Sequence, residues 1–225
     1  MITKYKQQIL ALSPLNSECV CKYDSWHKQF GENQSTINHH IKIIEKQLGE
    51  RFTRKDIISF HRCDNIDDIT KFLSVMMWGY SSDGIGRPDN RGPSRVQEMT
   101  KDIAKLSKIL TQTKELIREG HLKEAYKCFH PTKVPKCGPS FFSKYFYFVG
   151  RSLKVDNYPL IFDNRVASGL VNISVLSSSL LEFVSVQTIT RADTYVKYVN
   201  LLHDWAKSLE CEADQIEFFL FQFGR

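Results

Sequence analysis

The chain has 225 residues, 42% of them apolar and 15 of them phenylalanine, with a formal net charge of +6. That length accommodates one large core or two small ones, and the composition excludes a disordered chain, a low-complexity tract and a repeat array. The opening MITKYKQQIL has no leader-like apolar run, and no segment nears the roughly 18 uninterrupted apolar residues of a membrane span, so a cytoplasmic protein with no membrane partner is expected. The six cysteines are scattered, as suits a reducing compartment.

The predicted elements are almost all helical. In residues 35–48, STINHHIKIIEKQL, Ile37, Ile41, Ile44 and Leu48 recur at three- and four-residue spacing and Gly49 offers a stop. DDITKFLSVMMWG begins with acids and is expected to close at Gly79. SSDGIGRPDNRG, residues 81–92, is too rich in glycine and proline for a regular element. Residues 96–118 predict one or two amphipathic helices with Met99, Ile103, Leu106, Leu110 and Ile117 inward. Gly120 interrupts them, and HLKEAYKCFH adds a short helix. A helix over Pro139–Val149 follows. VNISVLSSSLLEFVS suits strand or helix equally. TYVKYVNLLHDWAKSL and ADQIEFFLFQF close the chain as two helices. The expected fold class is all-α, with two helical lobes around a cleft.

Charge is unevenly spread. Residues 71–151 hold 15 Lys or Arg against 7 Asp or Glu, and the remainder hold 16 against 18. A positive middle fits a face that meets a polyanion, although solvated helix faces produce the same asymmetry.

Several motifs fall short of a site. The Gly-Ile-Gly at 84–86 lacks the preceding strand and third glycine of a dinucleotide loop. Cys19, Cys21 and His27 lack the second ligand pair of a zinc site. His39 and His40, adjacent on a helix, point in different directions. No metal is expected.

The segment PTKVPKCGPSFFSKYFYF carries more. A short helix ends near His130, residues 131–138 make a tight turn, and Pro139 starts a second helix at a position where its missing N–H costs nothing. The free amides of such a turn can grip a phosphate, with Lys133 and Lys136 supplying charge. A generic helix–loop–helix would read the same way. Phe141, Phe142, Tyr145, Phe146 and Phe148 surround the second helix, which places it centrally. Lys144 among them needs a route to water or a chemical purpose. Asp163, set in PLIFDNRV, suits the N-cap of the helix begun by NRVASGL.

VPKCGPSFFSKYFYF followed by PLIFDNRVA resembles the hairpin and catalytic aspartate of the helix-hairpin-helix DNA glycosylase superfamily, and most closely its 8-oxoguanine DNA glycosylase-like branch. That hairpin reads Leu-Pro-Gly-x-Gly. Pro135 matches the proline, Gly138 the second glycine and Asp163 the aspartate, while Lys136 replaces the first glycine. The family's nucleophilic lysine falls at Ser140 here. Lys144, however, stands 19 residues before Asp163, similar to the lysine–aspartate separation of the 8-oxoguanine enzymes. Either Lys144 serves as nucleophile or the enzyme is monofunctional.

The resemblance covers residues 70–225 and leaves 1–69 as a divergent N-terminal region. It implies a monomeric DNA glycosylase that acts on a base flipped out of double-stranded DNA. Asp163 and Lys144 are the catalytic candidates. Lys133, Lys136, Gly138, Ser140, Arg87, Arg91 and Arg95 are the DNA contacts. Trp78, Tyr80, Phe141 and Tyr145 are the candidates for the base pocket. No cofactor is required by the family, and a monovalent cation at the hairpin is compatible with it. The substrate by resemblance is 8-oxoguanine; a modified, even glucosylated, cytosine of phage DNA would suit a defence role. The alternative is a non-catalytic hairpin protein that binds DNA, or a helical interaction protein.

Overall fold

The structure is a computed structural model that describes residues 2–31, 35–80, 92–131, 133–174 and 191–224. Twelve helices carry the described residues: α1 (Lys6–Leu10), α2 (Tyr23–Gln29), α3 (Ser35–Leu48), α4 (Arg54–His61), α5 (Asp68–Tyr80), α6 (Gly92–Met99), α7 (Ile103–Arg118), α8 (Leu122–Phe129), α9 (Pro139–Leu153), α10 (Asn164–Ser174), α11 (Ala192–Leu209) and α12 (Ala213–Phe223). The fold is all-α with one small addition. Strands β1 (Glu18–Val20) and β2 (Arg51–Thr53) pair antiparallel, with Cys19 opposite Phe52. Three-residue strands present too few alternating positions for a period to be read, so this ribbon was not visible in the sequence.

Local chemistry accounts for several helix boundaries. Ile37, Ile41 and Ile44 are buried on one face of α3, which ends just before Gly49. Thr53 and Asp56 form a reciprocal capping box that starts α4. The Asp102 side chain takes the Lys105 N–H to start α7 and separates it from α6, so the apolar pattern over 96–118 resolves as two helices. Gly79 does not end α5, which runs on through Tyr80. The ambiguous segment after Val171 is helical to Ser174, and its remainder lies outside the described residues.

The core is built around α9. Every residue from Phe142 to Gly150 is buried, and the helix packs against α4, α5 and α7. Phe129, Phe142, Phe146, Tyr126 and Tyr195 meet edge-on or tilted, with ring centroids 4.9 to 6.3 Å apart. Among the described residues no helix is long and apolar enough to cross a membrane.

Candidate active site

The turn between α8 and α9 forms a hairpin as the sequence predicts. His130 ends α8, Gly138 is the extended N-cap of α9, and Pro139 is its first residue. Lys136 has φ of 57°. A left-handed backbone at this position is what glycine would provide in the superfamily hairpin, and here a lysine accepts the strain. The N–H groups of Gly138 and Ser140 have no protein acceptor among the described residues and open α9 at the turn. Lys133 and Lys136 are exposed beside them, neither with an ion-pair partner among the described residues.

Lys144 and Asp163 meet. The lysine Nζ donates to Asp163 Oδ2 at 3.1 Å and to the Ser140 carbonyl at 2.7 Å. Helical side chains lean toward the N-terminus, so the ammonium of residue 144 arrives over the turn occupied by Ser140. Ser140, where the resemblance puts the family's lysine, is thus the residue whose carbonyl the Lys144 ammonium meets. Both groups are largely enclosed, with side-chain exposures of 11% and 16%, yet each keeps an edge to solvent.

The carboxylate is held from its other side as well. Asp163 Oδ1 accepts the N–H groups of Arg165 and Val166 at 3.1 and 3.2 Å, so it caps α10 while facing Lys144. Burial acts to raise its pKa. The charge of Lys144, the Val166 N–H, the Lys144 hydrogen bond and the Arg165 N–H outweigh that effect and hold the carboxyl below its ordinary value. Asp163 is therefore an ionised acid in a mostly dry setting.

An extended segment delivers it. Residues 158–162 run through the core without a strand partner, and buried peptide groups must find acceptors and donors elsewhere. Tyr195 Oη donates to the Leu160 carbonyl at 2.8 Å, and Tyr198 Oη to the Ile161 carbonyl at 2.7 Å. The Phe162 N–H donates to Ser143 Oγ at 3.1 Å. His203 Nε2 meets the Tyr158 carbonyl at 2.9 Å. These side chains fix the approach to Asp163, and sequence reading missed them. The available signals were a serine inside the aromatic run of α9 and two tyrosines three residues apart on one face of α11.

The four aromatic candidates divide. Tyr80 stacks on Phe141 with centroids 4.3 Å apart, and Phe141 lies under the Lys144 ammonium at 5.6 Å. Trp78 packs against Phe148 and beneath the Arg54 guanidinium, while Tyr145 is sealed among His61, Phe72 and Phe129. Gly79 is a further site residue that sequence reading treated only as a helix stop. A Cβ there would lie 3.2 Å from Lys144 Cδ and 3.5 Å from Phe141. An isolated glycine inside a helical pattern was its signal. Arg95 is half-buried on α6, with no ion pair among the described residues; Arg87 and Arg91 lie outside them.

The paired cysteines and histidines have ordinary roles. Cys19 and Cys21 are buried, His27 is held by Asn38 and Glu45, and His40 by Thr70 and Asp67.

An all-α body with a turn that presents backbone amides and a lysine–aspartate pair behind it is glycosylase-like in fold. The chain matches the family model described as "Putative 8-oxoguanine DNA glycosylase OGG-like protein" over residues 13–221. It belongs to this OGG-like family, and the match takes in most of the N-terminal region as well as the hairpin. No curated protein and no solved structure matches the chain.

Proposed function

We propose that this chain excises a damaged base from double-stranded DNA by cleaving its N-glycosidic bond, with 8-oxoguanine as the substrate, and that Lys144 is the attacking group. The observation that carries this reading is the 3.1 Å contact between Lys144 Nζ and Asp163 Oδ2 at the start of a hairpin-led helix.

Loss of a base builds positive charge on the deoxyribose, and a carboxylate held ionised beside the sugar stabilises it. Asp163 is such a carboxylate. Attack by Lys144 on the anomeric carbon requires its ammonium to give up a proton first, and loss of that proton to water at the pair's solvent edge leaves Asp163 ionised for the sugar. The C1′–N bond then breaks, the base leaves with its bonding pair and takes up a proton, and the amine–sugar adduct opens to a Schiff base. Removal of a C2′ proton from that adduct expels the 3′ phosphate and nicks the strand. The sugar must first swing out of the duplex, and the Tyr80–Phe141 stack beside Lys144 offers the extruded base a flat apolar face. The hairpin amides with Lys133 and Lys136 hold the backbone phosphates. In this reading the protein acts as a monomer and needs no cofactor.

Mass spectrometry of bases released from duplexes containing 8-oxoguanine, hydroxymethylcytosine or no lesion tests it. Wild type should release 8-oxoguanine. Asp163→Asn should lower the single-turnover rate by about 100- to 1,000-fold, and Lys144→Ala should abolish strand nicking. No base released from any duplex, with DNA bound equally by all three proteins, contradicts the reading and leaves a DNA-binding module.

A further inference from the structure

A second ion pair lies deeper in the molecule. Arg54 Nη1 donates to Glu217 Oε2 at 2.7 Å and Nη2 reaches Oε1 at 3.5 Å, with side-chain exposures of 3% and 0%. Three rings enclose the guanidinium: Trp78 of α5, Tyr147 of α9 and Phe218 of α12, each centred 5.3 Å from its carbon. Its Nε has no partner among the described residues. Such a pair is a poor stabiliser, because the desolvation of two charges consumes most of their attraction and a well-packed apolar pair often does better.

What the pair touches suggests its use. Trp78 precedes Gly79 and Tyr80 at the site. Tyr147 lies one helical turn beyond Lys144 on α9, and its hydroxyl donates to Asp214 of α12 at 2.8 Å. Helix α12 in turn seats α10, the helix capped by Asp163. Their backbones cross so closely that a Cβ at Gly169 would collide with the Leu220 peptide. One guanidinium from the N-terminal region therefore touches α5 and α9, which carry Tyr80, Phe141 and Lys144, and α12, which seats the helix capped by Asp163.

We propose that Arg54 and Glu217 are positioning residues: their buried pair sets α5, α9 and α12 in the register that brings Lys144 Nζ onto Asp163. The catalytic consequence rests on the function proposed above, but the register itself does not. A guanidinium suits the task because its planar fork engages a carboxylate at two points while its faces stack on rings, which an ammonium cannot do.

Competitive acetylation of lysines, read peptide by peptide in the full chain, tests the proposal. The variants are Arg54→Lys, which keeps the charge but not the fork, and the doubly apolar Arg54→Met/Glu217→Leu, which removes both charges. Freed from Asp163, Lys144 should be acetylated about tenfold faster in both, roughly what one charged hydrogen bond is worth. The buried Lys71 is the control for general loosening and should keep its wild-type rate. Base release should fall about 10- to 100-fold in kcat with KM for DNA unchanged. A Lys144 rate equal to wild type in either folded variant overturns the proposal, as does a parallel rise at Lys71. Should the apolar pair not fold, Arg54→Lys decides alone. A wild type that releases no base sinks the glycosylase reading, while the acetylation comparison still reports on the register.

Discussion

The two enclosed ion pairs are built to opposite specifications. Arg54–Glu217 is sealed, two-pronged and ringed by aromatics. Lys144–Asp163 joins a flexible four-carbon stem to a carboxylate that is already satisfied by two backbone amides. The lysine can leave without stranding the acid, and both keep a solvent edge. The contrast separates a pair that serves geometry from one free to take part in chemistry.

Breaking the sealed pair from one side should have the largest effect. Arg54→Met alone strands a buried carboxylate and should lower stability by about 3–5 kcal/mol, read from urea unfolding. The open pair should respond differently: Lys144→Ala leaves Asp163 with its amides and a path to water, so a loss as large as that of Arg54→Met would erase the distinction.

A smaller, more local effect is expected at Gly79. Gly79→Ala gains about 1 kcal/mol of helix propensity but presses on the Lys144 stem, so stability should hardly change while base release slows about tenfold. Equal rates would show that the stem gives way freely.

Acid titration sharpens the comparison further. Because the Asp163 pKa is lowered on folding, its charge contributes stability above the ordinary carboxylate range, and that contribution is lost as pH falls through the folded value. The difference in urea midpoint between wild type and Asp163→Asn, which preserves a capping oxygen, should be constant from pH 5 to 8 and shrink below about pH 4. Asp163→Ala should cost about 1 kcal/mol more through loss of the cap. The smallest change concerns the hairpin. Lys136→Gly relieves a left-handed lysine and should stabilise the fold by up to about 1 kcal/mol, while lowering the salt slope of DNA binding by about 1.

The sequence reveals one of these pairs and hides the other for a physical reason. Lys144 and Asp163 lie in contiguous, compositionally marked segments: a hairpin with its proline and glycine, an aromatic helix, and an acid after an apolar run. Local pattern was enough to nominate them, and the two- to three-residue reach of capping chemistry explained the acid's second role. Arg54 and Glu217 are 163 positions apart, and although Glu217 stands out in the apolar run QIEFFLF, nothing local says which charge it meets until the helices are packed. Tyr195, Tyr198 and Ser143 escaped for the same reason, since their partners are peptide groups of a non-regular segment that no periodicity announces. Trp78 and Tyr145 show the converse: both were attractive as stacking groups, and the fold places them against Arg54 and inside the core.

The central claim is that Lys144 and Asp163 act together on the sugar, and borohydride trapping on an 8-oxoguanine duplex tests it most directly. Reduction during turnover should leave a stable protein–DNA adduct on the peptide that contains Lys144, absent from Lys144→Ala and strongly reduced in Asp163→Asn. An adduct mapped to another amine, or base release with no adduct and no loss in Lys144→Ala, would contradict it.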